Sequence, residues 1–210
     1  MSFIVSAENI TKRFHGKNVL DGFSLEITDG TVTGLAGVRG SGKTVALLCI
    51  LGLLRVNGGT VNWQSDRKNT GAFIGAPAFH RELSIRGNLE AQAALLPKRK
   101  DGYGERIGYL MSQLQITPVY AGDRAARHLL TGQKQRLAIA MALLGEPELL
   151  VLDEPHLGLD DYEIAVYSAL LRGEGYGKNK TALITTSSAD ALNGIANKIV
   201  YLREGRNASF

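Results

Sequence analysis

The eight residues from Gly37 to Thr44 constrain the fold more than any other part of the chain. They fit the pattern G-x-x-x-x-G-K-[ST], in which glycines let backbone N–H groups turn inward around phosphate oxygens. An apolar strand at 31–36 precedes the pattern and an apolar helix at 45–54 follows it, as a phosphate-binding loop requires. We therefore predict such a loop rather than an accidental glycine-rich turn. Its members are Gly37, Val38, Arg39, Gly40, Ser41, Gly42, Lys43 and Thr44.

Two acidic residues, Asp153 and Glu154, come directly after the apolar segment 149–152. Alone, two acids after a strand are more often an exposed turn. A buried parallel strand, however, ends at the edge of the sheet where the phosphate-binding loop lies. We therefore expect Asp153 to hold Mg²⁺ through water, with the Thr44 hydroxyl as a second ligand, and Glu154 to orient or deprotonate the attacking water as the catalytic residue. Lys43 is expected to reach the β- and γ-phosphates of ATP.

The hydrophobic pattern alternates between strands and helices at both ends of the chain, which predicts an α/β fold with a mainly parallel sheet. The three- and four-residue spacing of apolar residues over about 88–145 indicates an inserted helical subdomain, within a single domain over 1–210. Pro97 divides this insertion into at least two helices. Strands are predicted at 3–10, 19–27, 31–36, 60–63, 149–152, 181–185 and 198–202, a further short apolar segment at 72–74, and helices at 45–54, 163–171 and 189–196.

The charge and composition argue against several classes of protein. The net charge of +4 is spread along the chain, and the densest basic cluster, 98–100, has no interleaved aromatic residues for base stacking. We interpret this cluster as a solvated loop and expect no nucleic-acid partner. The single cysteine, Cys49, is interpreted as buried, and nothing indicates an oxidising compartment. The N-terminus lacks a signal-peptide pattern, and apolar runs such as 45–54 fall short of the ~20 residues of a membrane span, so we expect a cytoplasmic protein without direct membrane insertion.

The segment 130–160, LTGQKQRLAIAMALLGEPELLVLDEPHLGLD, resembles the block from the signature to the D-loop in ATP-binding cassette (ABC) transporter ATPases. The resemblance extends over nearly the whole chain. Within that family the chain is most similar to bacterial ATPases of peptide-antibiotic export and immunity systems, of the bacitracin and lantibiotic type. The stretches that carry this closer likeness are GAPAFHRELSIRGNLE at 75–90 and KQRLAIAMALL at 134–144.

The resemblance implies a fold, an activity and a set of partners. The fold is that of a P-loop NTPase with a mainly parallel core, an N-terminal antiparallel β subdomain and an inserted α-helical subdomain. The activity is ATP hydrolysis coupled to transport, with ATP and Mg²⁺ as cofactors, in an exporter of peptide or antibiotic-like substrates. The partners are a transmembrane permease subunit and a second ATPase domain, which place the chain on the inner face of the cell membrane.

The same resemblance adds residues to the predicted site. Phe14 occupies the position of an aromatic residue that stacks on adenine, although one aromatic in a β-hairpin also fits a plain core role. Gly132 and Gln133 belong to the signature, and Asp160 ends the D-loop, 158–160.

Three positions depart from the family's pattern. The signature LSGGQ has serine where this chain has Leu130, although Thr131 is adjacent. The glutamine that links the nucleotide site to the transmembrane subunit falls near Gly75, and the switch histidine aligns with Ser187. Losing a charge-assisted hydrogen bond to phosphate costs roughly 1.5–3 kcal/mol, so we expect hydrolysis to be slow. ATP binding should persist, because the phosphate loop is intact. His156 is interpreted as a solvated loop residue rather than a substitute for the missing histidine.

Two other functions compete with the transporter interpretation. A soluble ABC protein acting on ribosomes or nucleic acid is the first alternative, but such proteins usually carry two cassettes or a long coiled insert, and this sequence has neither. A small P-loop kinase is the second, and the segment 132–136 followed by a long helix argues against it. The partner ATPase domain stays open between a copy of this chain and a different chain. The three departures favour a heterodimer, whereas two-fold homodimers are the general default.

Overall fold

The computed structural model describes residues 2–67, 69–116, 125–173 and 180–209. In this part of the chain two β-sheets and five α-helices form. The helices are α1 (Lys43–Ile50), α2 (Ile85–Ala93), α3 (Gly104–Gln113), α4 (Thr131–Leu143) and α5 (Asp161–Leu171). The strands are β1 (Phe3–Phe14), β2 (Lys17–Thr28), β3 (Val32–Ala36), β4 (Gly58–Trp63), β5 (Thr70–Phe73), β6 (Leu149–Asp153), β7 (Thr181–Thr186), β8 (Lys198–Arg203) and β9 (Arg206–Ala208).

The smaller sheet is antiparallel, with strand order β2-β1-β4, and confirms the predicted N-terminal β subdomain. The β1–β2 hairpin turns at His15 and Gly16, whose φ angles of 48° and 80° match the positive values that a tight two-residue hairpin turn requires. Cys49 of α1 lies in the core beneath this sheet, buried as predicted, and burial raises the pKa of its thiol. Buried residues that share this core include Ile10, Leu20, Phe23, Ile27, Leu47 and Ile50.

The larger sheet has the order β5-β6-β7-β3-β8-β9, and all its neighbouring pairs are parallel except β8–β9. The predicted mainly parallel core is therefore confirmed. Every residue of β3, β6 and β7 is buried, which explains why these strands read as continuous apolar runs. Because β7 lies between β6 and β3, the loops that leave the carboxyl ends of these three strands are neighbours in space.

The helical region begins slightly before the predicted 88–145. Helix α2 starts at Ile85, and Ser84 caps it by accepting a hydrogen bond from the Gly87 N–H at 3.1 Å. Residues 117–124 of the predicted helical insertion lie outside the described residues. In the part of the chain that is described, no helix combines the length and apolar character needed to cross a membrane. Helices α2, α3 and α4 share one core with the larger sheet, including Ile85, Leu89, Ile107, Leu110, Leu137 and Leu152.

The helix predicted at 45–54 is displaced towards the N-terminus. It begins at Lys43, inside the phosphate-loop motif, and ends at Ile50. Gly52 has a φ of 68°, and the Leu53 N–H donates to the Leu48 carbonyl at 2.8 Å, which is the glycine-terminated helix end known as the Schellman motif. The helix therefore ends before Gly52, although the apolar run in the sequence continues to Leu54.

One prediction near the C-terminus was wrong, and one strand there was not predicted. The helix predicted at 189–196 is only a short 3₁₀ turn, Ala189–Leu192, because Asn193 takes an extended ψ of 128°. Strand β9 was not predicted, since its three residues show no apolar alternation. The side chain of Asn207 in β9 fixes the chain there instead, accepting from the Ser24 N–H and donating to the Ser24 carbonyl, both at 2.8 Å.

Candidate nucleotide-binding site

The loop at 37–44 leaves the carboxyl end of β3 and runs directly into α1, which confirms the predicted strand–loop–helix context. Gly40 and Gly42 have φ angles of 81° and 107°, in the left-handed region that favours glycine. A Cβ on Gly37 would lie 2.3 Å from the Leu202 carbonyl oxygen, so this position admits no side chain. The three glycines thus allow the tight turn in which backbone N–H groups surround a phosphate.

Lys43 projects into this loop, and its side chain is only 6% exposed. Its Nζ donates to the carbonyl oxygens of Gly37 at 2.6 Å and Val38 at 3.2 Å. The same Nζ lies 3.2 Å from Oε1 of Glu154. The ammonium group has three hydrogens, and each faces one of these three oxygen atoms. It can therefore bind another ligand only if one of these oxygen atoms is displaced.

Thr44 and Asp153 meet between α1 and the end of β6. The Thr44 hydroxyl donates to Asp153 Oδ2 at 2.8 Å, and the Thr185 hydroxyl of β7 donates to Asp153 Oδ1 at 2.5 Å. The Asp153 carboxylate is buried, so these two bonds fix its orientation. Carboxylate and hydroxyl oxygens are ligands that Mg²⁺ prefers, and the predicted metal-binding pair is thus brought together.

The backbone of Glu154 is held in an uncommon conformation. Its φ of 51° lies in the left-handed region, which non-glycine residues occupy mainly at turns and functional sites. Its N–H donates to the Thr185 hydroxyl at 3.0 Å, and its carbonyl accepts from Nε2 of Gln135 at 3.0 Å. Gln135 belongs to α4 and is buried. The backbone of Glu154 is therefore fixed from both β7 and α4.

The carboxylate of Glu154 is surrounded by donors. Lys43 contacts Oε1, and both the backbone N–H and the hydroxyl of Ser187 donate to Oε2, at 3.0 and 3.2 Å. Burial raises the pKa of Glu154, but hydrogen bonds from His156, Ser187 and Lys43 outweigh it and lower the pKa to about 2. Glu154 is consequently a carboxylate at neutral pH, as a proton acceptor must be.

The interpretation of His156 as a solvated loop residue was wrong. Its side chain is 11% exposed, and Nε2 lies 3.0 Å from the Thr186 hydroxyl and 3.5 Å from Oε2 of Glu154. Ser187 was noted only as the position where a histidine was missing, and its bonds to Glu154 were not predicted. The loop after β7 reaches Glu154 because β7 lies next to β6 in the sheet. The local sequence does not determine strand order, so this contact could not be predicted from it.

A pocket of about 310 Å³ opens between the phosphate-binding loop and Glu154. A larger cleft of about 1180 Å³ lies on another part of the chain, beside β5 and the C-terminal end of α4, and touches neither the loop nor Glu154. The smaller pocket is the candidate nucleotide site, because it alone of the two is lined by predicted site residues. Its lining includes Arg39, Gly40, Gly42, Lys43, Thr44 and Glu154.

Two further loop residues differ in their environment. Val38 is 69% exposed, so its contribution to a ligand is limited to its backbone. Ser41 is buried, and its hydroxyl lacks a hydrogen-bond partner among the described residues. An unsatisfied buried hydroxyl is costly, and a phosphate oxygen in the loop would relieve that cost.

The remaining predicted site residues do not line this pocket. Phe14 is 39% exposed, with the Lys12 ammonium 5.0 Å from its ring centre, so it is a surface residue rather than part of the core. The Asp160 side chain caps α5 by accepting from the Glu163 N–H at 2.8 Å. A Cβ on Gly132 would lie 2.9 Å from the Gly158 carbonyl oxygen, so the signature and the D-loop pack against each other within the chain.

Leu130 stands at the N-cap of α4 and is 73% exposed. The Gln133 side chain turns back to accept from the Leu130 N–H at 2.9 Å. A leucine side chain offers no acceptor to the free N–H groups of the first turn, which is the usual role of a residue at this position. The Gln133 side chain is thus engaged locally, and Leu130 leaves the helix without a side-chain cap.

A family model described as ABC transporter matches residues 20–157. The chain belongs to the ABC transporter family. It is 27% identical to the bacitracin transport ATP-binding protein BcrA of Bacillus licheniformis, over 98% of this chain and 69% of that protein. It is 29% identical to the zinc uptake system ATP-binding protein ZurA of Listeria monocytogenes, over 97% of this chain and 84% of that protein. The dimeric structure of MJ0796, a bacterial ABC transporter cassette, superposes with a TM-score of 0.80 at 21% identity, over 98% of this chain and 97% of the other.

These comparisons confirm the predicted family, the bacitracin-type likeness and the ABC ATPase fold. The chain is the ATP-binding subunit of an ABC transporter and an ATPase. A protein named for bacitracin transport and one named for zinc uptake are almost equally similar to this chain.

Proposed function

We propose that this chain binds Mg-ATP at the 37–44 loop and hydrolyses it slowly to drive an exporter of peptide or antibiotic-like substrates. The observation that carries the nucleotide chemistry is the meeting of the start of α1 with the end of β6, where Thr44 donates to Asp153 at 2.8 Å and Lys43 lies 3.2 Å from Glu154. The similarity to BcrA supports the substrate class. Among the residues that the structure describes, no feature favours the alternative of a protein acting on ribosomes or nucleic acid.

The proposed reaction begins with an exchange of partners at Lys43. The phosphates of ATP compete with Oε1 of Glu154 for the ammonium group, which lies 3.2 Å from that oxygen. Once Lys43 turns to the phosphates, Oε1 is the carboxylate oxygen without a protein donor, while Ser187 still holds Oε2. Glu154 then accepts a proton from the attacking water through Oε1.

Thr44 and Asp153 are the residues that would hold Mg²⁺. The Asp153 carboxylate is fixed by the Thr185 hydroxyl, so it needs no reorientation before it contacts the metal or a metal-bound water. The metal supplies neutralisation of the charge that develops on the phosphates. Phe14 is proposed to stack on the adenine. Gly132, Gln133 and Asp160, in the signature and the D-loop, lie outside this pocket and are proposed to contribute when a second ATPase domain is present.

The slow rate follows from three substitutions. Leu130 presents an exposed apolar side chain where a hydroxyl would contact phosphate. Ser187 is already bonded to Glu154, and its short side chain replaces a histidine. Gly75 has a φ of 72° and no side chain with which to contact the metal region. Losing groups that stabilise transition-state charge lowers rates by roughly 10²–10³.

The proposed partners are a transmembrane permease and a second ATPase domain, with the chain at the inner face of the membrane. The cleft of about 1180 Å³ supports the permease contact, because its lining includes the two neighbours of Gly75, Ile74 and Ala76. Lys98 and Arg99 also line this cleft. Arg99 is paired with Glu146 at 2.7 Å, and Lys98 would meet acidic groups of a permease loop.

Nucleotide binding is tested by Lys43→Ala, with the exposed Lys198→Ala as the matched control. Mg-ATP should raise the melting temperature of the parent and of the control but not that of Lys43→Ala, because only Lys43 lies in the pocket. Equal stabilisation of all three proteins would show that the phosphate loop is wrongly assigned.

Export is tested by expressing the chain with its permease in a sensitive bacterium. Resistance to peptide antibiotics that depends on Lys43 supports the proposal. Restoration of growth under zinc limitation, without any resistance, would replace the proposed exporter with an importer.

A further inference from the structure

His156 lies two residues after Glu154 yet points back towards it. The intervening Pro155 is buried, and the loop folds so that the imidazole lies between the end of β6 and the loop that follows β7. Nε2 is 3.0 Å from the Thr186 hydroxyl and 3.5 Å from Oε2 of Glu154, the latter at the outer limit of a hydrogen bond. An imidazole that is 11% exposed and aimed at the catalytic carboxylate is placed differently from a surface histidine.

The hydrogen-bond pattern assigns the tautomer of this imidazole. The Thr186 hydroxyl has one hydrogen, which it donates to the Ser188 carbonyl at 2.8 Å. Its contact with His156 therefore requires it to accept a hydrogen from Nε2. Nδ1 is buried without a partner among the described residues, and a bare nitrogen suits that position better than a buried N–H. Nε2 thus carries the proton and faces both Thr186 and Glu154.

The two carboxylate oxygens of Glu154 consequently have different partners. Oε1 is paired with Lys43, which the phosphates of ATP would take away. Oε2 is held by Ser187 and faces His156, and neither of these contacts involves the phosphate loop. The donors on Oε2 therefore keep the carboxylate in place at the moment when Lys43 leaves Oε1.

We propose that His156 is a positioning residue for ATP hydrolysis. Its single Nε2–H is shared between the Thr186 hydroxyl at 3.0 Å, which fixes the ring, and Oε2 of Glu154 at 3.5 Å, which it helps to hold. This inference rests on the proposed role of Glu154 as proton acceptor. His156 reaches the carboxylate from its own loop after β6, and Ser187 reaches it from the loop after β7. Both loops therefore act on one oxygen and leave Oε1 directed at the pocket.

The first test compares substitutions that keep or remove the Nε2 donor. In single-turnover hydrolysis with enzyme in excess, His156→Ala should lower the rate about tenfold, the effect of one lost charge-assisted contact, and change ATP affinity less than about twofold. His156→Gln places an amide N–H₂ near the position of Nε2 and should restore most of the rate. His156→Asn places its amide nearer Nδ1 and should behave like alanine. His80→Ala, with an exposed side chain, is the matched control.

A rate for His156→Ala equal to that of the parent would overturn the proposal, and so would a glutamine variant as slow as alanine. If the alanine variant fails to fold, the comparison of glutamine with asparagine decides in the same way. ATP-dependent thermal stabilisation is measured in parallel. If ATP does not stabilise the parent protein, the proposed nucleotide site is wrong, and this result is distinct from a failure of the inference about His156.

The second test does not depend on turnover. Long-range ¹H–¹⁵N spectra of the histidine side chains should show His156 as the Nε2-protonated tautomer. Glu154→Gln should shift its Nε2 resonance and leave that of His80 unchanged. An Nδ1-protonated ring, or an Nε2 resonance insensitive to Glu154, would contradict the assigned geometry.

Discussion

The N-cap of α4 gives the sharpest stability prediction. Leu130 has the extended φ and ψ of −70° and 163° that an N-cap residue adopts, but it has no side-chain acceptor. Leu130→Ser places a hydroxyl where it accepts from the Gln133 N–H, and it completes the reciprocal pair in which Gln133 already accepts from residue 130. Such a cap contributes about 1 kcal/mol relative to alanine. For a chain of 210 residues this corresponds to a rise in melting temperature of roughly 2–4 °C.

The comparison that isolates this effect is Leu130→Ser against Leu130→Ala. Both variants remove the same 73%-exposed leucine, so any change in exposed apolar surface is shared between them. Without nucleotide, the melting temperatures and the free energies of unfolding in urea of the two variants should therefore differ only by the contribution of the cap. If serine is no more stable than alanine, the first turn of α4 does not have the free N–H groups that the structure assigns to it.

Four further outcomes are expected. Gly37→Ala should abolish ATP-dependent stabilisation, because its Cβ would clash with the Leu202 carbonyl, whereas Gly104→Ala, where a Cβ meets nothing within 4 Å, should not. The pKa of Glu154 is lowered from its ordinary value of 4.5, so its carboxylate stabilises the folded state at pH values above 4.5. The difference in free energy of unfolding between the parent and Glu154→Gln, measured by urea titration, should therefore shrink as the pH falls from 4.5 towards 2. The isolated chain should hydrolyse ATP far below a typical enzymatic rate of ~10 s⁻¹, and robust turnover that vanishes in Glu154→Gln would contradict this. Leu130→Ser combined with Ser187→His should increase ATP-induced dimerisation and hydrolysis, and unchanged behaviour would remove the argument for a heteromeric partner.

The sequence predicted the parts of the fold that depend on local pattern. The apolar strand runs before the phosphate loop and before Asp153 are central buried strands, because burial on both faces leaves a continuous apolar signal. The motif 37–44 was recognisable because a phosphate cradle demands glycines at fixed spacing. Helix ends were predicted less well, as at Gly52, because an apolar run continues past the residue that stops the helix.

The contacts around Glu154 could not be predicted in the same way. They join residues from three loops whose proximity follows from β7 lying between β6 and β3. His156 illustrates the difficulty, since a polar residue after an acidic pair is usually solvated, and only the tertiary structure shows that Thr186 and Glu154 enclose it. Ser187 was identified by what it lacks, and its two bonds to Glu154 became visible only in the folded chain.

Helix α4 links Leu130 to Glu154 within one chain, which affects how any change at Leu130 is interpreted. Gln135 lies in the first two turns of α4 and donates to the Glu154 carbonyl, so a shift of the helix start is transmitted to a backbone already held at a positive φ. A faster Leu130→Ser variant therefore has two explanations: a hydroxyl that contacts phosphate in the partner's site, or a better-ordered helix that holds Glu154. The first effect requires two chains and depends on protein concentration, whereas the second acts within one chain and does not. Rates measured across a dilution series separate them, because only the contribution from the interface falls as the chains dissociate.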